Sequence, residues 1–171
     1  MMLSRSEIEG ALADLVAELT TLRRPVTIYI VGGTALMLGY DARQATRDVD
    51  AVVTPPDDVL RAAVEIARRR SLPDDWLSVA ASMFVPPHPE DPNPTVFLQE
   101  EGVRVEIASA EWLLGMKIRA SRGRQDIDDI RLLLEITNVR TVDAAVAVYD
   151  RVYEEDPIGE RSLRILRELL A

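Results

Sequence analysis

Between Val26 and Val53 a β-forming run enters a glycine corner and re-emerges as a second β-forming run, which constrains the fold more than any other stretch. Val26-Thr-Ile-Tyr-Ile-Val31 has the β-branched and aromatic content of a strand. It runs into Gly32-Gly33, and Thr34 to Leu38 then reads as a short helix ending at Gly39. A loop leads to Thr46-Arg-Asp48-Val-Asp50-Ala-Val-Val53, whose last six residues are expected to form the second strand. Residues i and i+2 of a strand share a face. Asp48 and Asp50 are therefore expected side by side, with Val49 pointing the other way.

Two parallel carboxylates repel each other unless a cation sits between them. A bare Gly-Gly pair at a helix N-terminus offers N–H groups to a phosphate. Alone, an Asp-x-Asp at a strand end is two solvent-facing acids. With a glycine corner fifteen residues upstream, the pair reads better as a site for Mg²⁺ (or Mn²⁺) facing a phosphate cradle of Gly32 and Gly33, with Thr34 adding a hydroxyl. No Gly-Lys-Ser/Thr comes after it, so this is not a Walker A loop, and no third glycine is placed for a dinucleotide fingerprint.

The rest of the chain completes an α/β (α+β) pattern with a small mixed sheet and flanking helices. Ser4 and Glu7 fit a capping box that opens an amphipathic helix to Thr20. Thr54-Pro-Pro-Asp-Asp opens another, and Pro73-Asp-Asp-Trp76 is expected to open a short one. Pro86 to Pro94, with five prolines, reads as a loop or edge segment. Thr95–Gln99 and Val103–Ile107 flank Glu-Glu-Gly102 as a hairpin. A helix from Ala110 weakens at Gly123, a second runs from about Gln125 to Ile136, and Val142–Tyr153 and Glu160–Leu170 are the last two. Residues 1–109 are thus expected to form the core, with 110–171 a helical lobe packed on it.

The chain has 171 residues, a net charge of −9, no cysteine and one histidine. That length suits one domain, or one with a small helical lobe. The absence of cysteine excludes disulfides and thiolate metal sites and fits a cytoplasmic protein. A single histidine makes a multi-histidine zinc site improbable, and His88 lies among prolines with a bland reading, as do Trp76, Trp112 and Met83. No apolar run reaches membrane-spanning length, and no signal-peptide core is expected. The acidic balance argues against coating a nucleic-acid duplex. Lys117, Arg119, Arg122, Arg124 and Arg131 nevertheless make a local basic strip able to hold a nucleotide or an RNA end.

The ordered set Val31-Gly-Gly-Thr-Ala-Leu36, Arg43-x-x-Thr46-x-Asp48-x-Asp50, then a helical lysine and an Arg/Asp cluster resembles the DNA-polymerase-β-like nucleotidyltransferase superfamily. Within it the pattern is similar to the AbiEii-like and MenT-like bacterial proteins, many of them toxins of toxin–antitoxin pairs. The resemblance covers about Ile28 to Leu134. It implies a third acid on a later strand, for which Glu106 is the best candidate, one methylene longer than the usual Asp and alternatively the exposed partner of Arg104. It implies that Lys117 contacts the nucleotide phosphates, and that Arg122, Asp126 and Asp129 form a cluster in which Asp126 orients Lys117 or accepts a proton. Thr46 stands where relatives carry a Ser or Thr near the metal, sometimes phosphorylated for inhibition. Arg43 and Arg47 are placed to pair with a triphosphate or to balance the acids.

The reaction expected on these grounds is Mg²⁺-dependent transfer of NMP from an NTP to an acceptor hydroxyl. The resemblance points to the 3′ end of tRNA as acceptor and to an antitoxin protein as partner. Two other readings stand beside it: transfer of AMP or UMP to a protein hydroxyl, which suits the acidic surface, and a non-catalytic binding or antitoxin subunit.

Overall fold

Alternation of Val and Ile with polar residues builds the central sheet of the structure, a computed structural model that describes residues 1–80, 85–86, 91–121 and 123–171. The elements run β1 (Leu3–Ser4), α1 (Arg5–Thr20), β2 (Val26–Ile30), α2 (Gly32–Tyr40), β3 (Ala45–Thr46), β4 (Val49–Thr54) and α3 (Pro56–Arg70). They continue with β5 (Leu77–Ser78), β6 (Thr95–Glu100), β7 (Val103–Ile107), α4 (Ala110–Ala120), α5 (Arg124–Ile136), α6 (Val142–Val152) and α7 (Glu160–Leu169). The chain divides into two compact units, Met1–Met83 with Asn93–Ala108 and Phe84–Pro92 with Ser109–Ala171.

The first unit holds a five-stranded mixed sheet of order β5-β4-β2-β7-β6. Central β2 runs antiparallel to β4 and parallel to β7, with Tyr29 opposite both Val52 and Glu106. This register sorts the side chains. Val26, Ile28, Ile30, Val49, Ala51, Val53, Val103, Val105 and Ile107 share one face and are all buried. Every polar residue of β2, β4 and β7 lies on the other: Thr27, Tyr29, Asp50, Thr54, Arg104 and Glu106. Burying each large aliphatic side chain contributes about 1.5–3 kcal/mol, so a one-residue slip of any central strand is strongly disfavoured. Helix α1 packs on β6, β7 and α3, and Trp76 closes the core by donating its indole N–H to the carbonyl of Ala63 at 2.9 Å.

The hairpin and capping box form where the sequence places them. Glu101 and Gly102 turn β6 into β7 with φ of 38° and 88°, the positive pair a tight two-residue hairpin needs. Ser4 caps α1 and Glu7 returns the bond. Elsewhere the bounds differ. Gly39 does not end α2. A Cβ there would meet Ile107 Cγ2 at 3.0 Å, so this glycine lets the helix lie against β7, and the left-handed cap is Asp41. Asp48 precedes β4 rather than opening it, and the stretch after Pro73 turns into β5 instead of a helix. Both differences come from pairing: the Val49 N–H donates to the Trp76 carbonyl at 2.7 Å, which draws residues 77–78 alongside β4.

The second unit is helical. Ser109 and Thr141 cap α4 and α6. Helix α4 packs on α5 and α6, and Gly115 permits the second contact, since a Cβ would lie 2.6 Å from Val152 Cγ2. Gly123 is the N-cap of α5. The Ser162 hydroxyl donates to the Ile118 carbonyl at 2.7 Å and joins α7 to α4. Asp91 accepts the Ser109 N–H at 2.7 Å, while Met83 and, within the proline-rich stretch, residues 87–90 with His88 lie outside the described residues. Among the described residues no helix is long and apolar enough to cross a membrane.

Candidate active site

The corner between β2 and α2 is built around glycine for two separate reasons. Gly32 has φ +65°, where an L side chain is strained, and a Cβ on it would sit 3.0 Å from Asp50 Oδ2. The Val31 N–H donates to the Asp50 carbonyl at 2.9 Å, fixing that carboxylate's strand to the corner. A Cβ on Gly33 would meet Arg43 Nη1 at 3.2 Å and Thr46 Oγ1 at 3.4 Å. No side chain caps α2, so its first N–H groups and the positive end of its dipole are left to other partners. An uncapped helix start with a guanidinium beside it is an arrangement suited to phosphate. Of the two arginines in this loop, Arg43 approaches the corner and Arg47 is exposed.

Thr34 and Thr46 are both tied to the backbone of the first aspartate. Both are buried, and both hydroxyls donate to the carbonyl of Asp48, at 2.7 and 3.2 Å. They hold the backbone of the first aspartate from two sides. The Asp48 side chain is half-buried, and withdrawal from water pushes its carboxyl pKa up; Arg47 opposes this and Asp75 adds to it. Asp75 is a residue that the sequence alone does not bring to the site. It reaches Asp48 through the pairing of β5, a two-residue strand too short to leave an alternation in the sequence. Asp48 immediately precedes β4 and Asp50 is the second residue of that strand.

Glu106 shares the polar face with Asp50, but β2 lies between their strands and its carboxylate is bonded to Arg104 Nε at 2.5 Å. Among the described residues no three His, Cys, Asp or Glu side chains gather as a metal centre would require. The third acid expected at Glu106 is therefore not brought to the pair.

In the helical unit Lys117 Nζ bridges Asp126 Oδ1 at 2.9 Å and Asp129 Oδ2 at 2.8 Å, with all three side chains largely buried. This joins α4 to α5, and it engages the ammonium that the resemblance assigns to nucleotide phosphates. Arg119 is ion-paired with Asp156 and lies 4.5 Å over the ring of Tyr153, so it is held within the unit. Arg122 lies outside the described residues, and Arg124 is exposed.

One family's sequence model, described as a nucleotidyltransferase of unknown function (DUF6036), matches residues 10–157. The chain belongs to this family. No curated protein and no solved structure matches the chain at a significant level. The matched range contains the glycine corner, both aspartates and the Lys117 cluster.

The donor chemistry of the corner suits a hard divalent cation. Mg²⁺ is commonly held by one or two carboxylates together with substrate phosphates and water, rather than by a full protein cage. Asp48, partly withdrawn from water and facing a like charge, would gain from such a cation, and Asp50 lies against the glycine that opens the uncapped helix α2.

Proposed function

We propose that this nucleotidyltransferase moves an NMP from an NTP to an acceptor hydroxyl, with Asp48 and Asp50 holding Mg²⁺ or Mn²⁺. When bound, the divalent ion would neutralise charge on the triphosphate and lower the pKa of the attacking hydroxyl. The chain's own residues do the positioning. Gly32 and Gly33 present N–H groups to the leaving phosphates without a Cβ in the way, and Arg43 adds positive charge there. Thr34 and Thr46 fix the Asp48 backbone so that its carboxylate is aimed before substrate arrives. One observation supports this reading above the others: Asp50 Oδ2 lies against Gly32, at the start of a helix that no side chain caps.

The acceptor in this reading is the 3′ end of tRNA, and the biological setting a toxin held by a separate antitoxin. Support for both is the motif order from Val31 to Asp50 and its similarity to the MenT-like proteins. A protein hydroxyl is the second acceptor to consider, favoured by the net charge of −9, which weakens attraction to RNA. Incubation with each α-labelled NTP, Mg²⁺ or Mn²⁺, and either total tRNA or a cell lysate separates the readings. Label on RNA supports the first and label on protein the second. No label in either, with folded protein, would leave a binding subunit without turnover.

A further inference from the structure

The N-terminal residues have no part in the proposed chemistry, yet they grip the segment that carries it. Strand β1 pairs antiparallel with β3, Leu3 opposite Thr46 and Ser4 opposite Ala45, in a small sheet of its own. Leu3 is fully buried although Met1 and Met2 are exposed. Two residues on, Arg5 Nη2 donates to the Leu38 carbonyl at 2.7 Å, and the same guanidinium pairs with Asp41, the left-handed cap of α2. A cation on the last carbonyls of a helix complements its dipole. The Ser4–Glu7 capping box makes the passage from β1 into α1 a fixed one, so these contacts are anchored to a long helix.

The span between Asp41 and Asp48 is thus held at both ends by Leu3–Arg5. It is a connecting loop, and such loops are the most mobile parts of a domain unless something ties them. It carries Arg43 to Gly33, and it carries Thr46, whose hydroxyl supports the Asp48 carbonyl. A displacement of about 1 Å at a catalytic group costs on the order of 10²-fold in rate, so what fixes this loop bears directly on the reaction.

We propose that Leu3, Ser4 and Arg5 form a clasp of positioning residues that sets the placement of Asp48 through β3 and the C-terminal end of α2. The inference rests on the metal role given to Asp48 under the proposed function. It predicts a defect in metal use, accompanied by a smaller change in nucleotide recognition because the same loop carries Arg43 to Gly33.

The test uses the full chain carrying Arg5→Ala, with Arg5→Lys as the partial restorer and Thr141→Ala as a control that removes the cap of α6. Hydrogen exchange is read across residues 41–48 and, for reference, across 26–30 and 103–107. Transfer is read as a function of Mg²⁺ at saturating NTP. The clasp predicts that Arg5→Ala speeds exchange at 41–48 by about tenfold or more while the reference strands stay unchanged. It also predicts that the Mg²⁺ needed for half-maximal rate rises about three- to tenfold, with the rate recovered at high Mg²⁺ and any change in the KM for NTP smaller than that. Arg5→Lys should fall between, and Thr141→Ala should lower the melting temperature without moving either reading. Unchanged exchange at 41–48 in Arg5→Ala overturns the clasp, as does faster exchange with an unmoved Mg²⁺ dependence. Should the wild type transfer no nucleotide at all, the metal role fails, and the exchange arm alone decides whether the clasp holds the loop.

Discussion

Two groups of partly buried acids in this chain differ in where their positive charge comes from. Asp126 and Asp129 share the ammonium of Lys117 at 2.9 and 2.8 Å, so that group is largely neutralised from within. Asp48 is half-buried too, but its neighbour is the like charge of Asp75, and exposed Arg47 opposes the rise in its pKa without cancelling it. The first arrangement completes a fold. The second keeps the Asp48 carboxyl pKa raised, which is the environment a bound cation would relieve. Acids that share a buried ammonium should matter most to stability, and acids set around the glycine corner should matter most to turnover.

The sharpest way to break this contrast is to remove the acids of the corner. Asp50→Asn and Asp48→Asn should each lower transfer by on the order of 10³-fold or more, since under the proposed function each removes a carboxylate ligand of the metal. Neither should lower the melting temperature, and activity assays run beside thermal melts check both halves. Loss of folding in Asp48→Asn would place that residue with the structural acids.

Next in size is Lys117→Met, which leaves two largely buried carboxylates without their cation. Breaking such a pair costs about 3 kcal/mol or more. For a chain of this size that is roughly 6–12 °C of melting temperature. An unchanged melting temperature with abolished transfer would move Lys117 into the chemistry, as the resemblance suggests, and dissolve the contrast.

Gly32→Ala tests the corner itself. Its positive φ and the approach of Asp50 should cost about 1–3 kcal/mol in stability. Transfer should fall by on the order of 10²-fold through displacement of Asp50.

The smallest effect is a pH dependence. Burial raises the Asp48 pKa, so the folded state binds its proton more tightly than the unfolded one. Between the ordinary aspartate value and the raised one, the folded protein carries more protons, and stability falls as pH increases. Asp48→Asn removes this contribution. The variant should therefore melt slightly higher than wild type at neutral pH, with the gap closing as pH drops below the ordinary aspartate range.

The glycine corner, the capping box at Ser4 and Glu7, and the hairpin at Glu101-Gly102 were legible in the residues, because each rests on local backbone rules that a sequence displays directly. What escaped depended on pairing at a distance. Strands β1, β3 and β5 have two residues each, fewer than alternation needs to be seen, so neither the clasp at Leu3 nor the approach of Asp75 to Asp48 had a local signal. Gly39 looked like a helix stop because glycine favours that role; packing against Ile107 kept it inside α2. Thr34 and Thr46 were legible as residues near the site, but their shared acceptor, the Asp48 carbonyl, is set by the fold alone.

If Asp48 and Asp50 draw a divalent ion to the glycine corner together with a nucleotide, titration calorimetry with Mg²⁺ and a non-hydrolysable NTP analogue shows it most directly. The expected result is metal-dependent nucleotide binding in the wild type that weakens by about tenfold or more in both Asp48→Asn and Asp50→Asn. Equal metal-dependent binding by wild type and both variants would contradict the metal role of the pair.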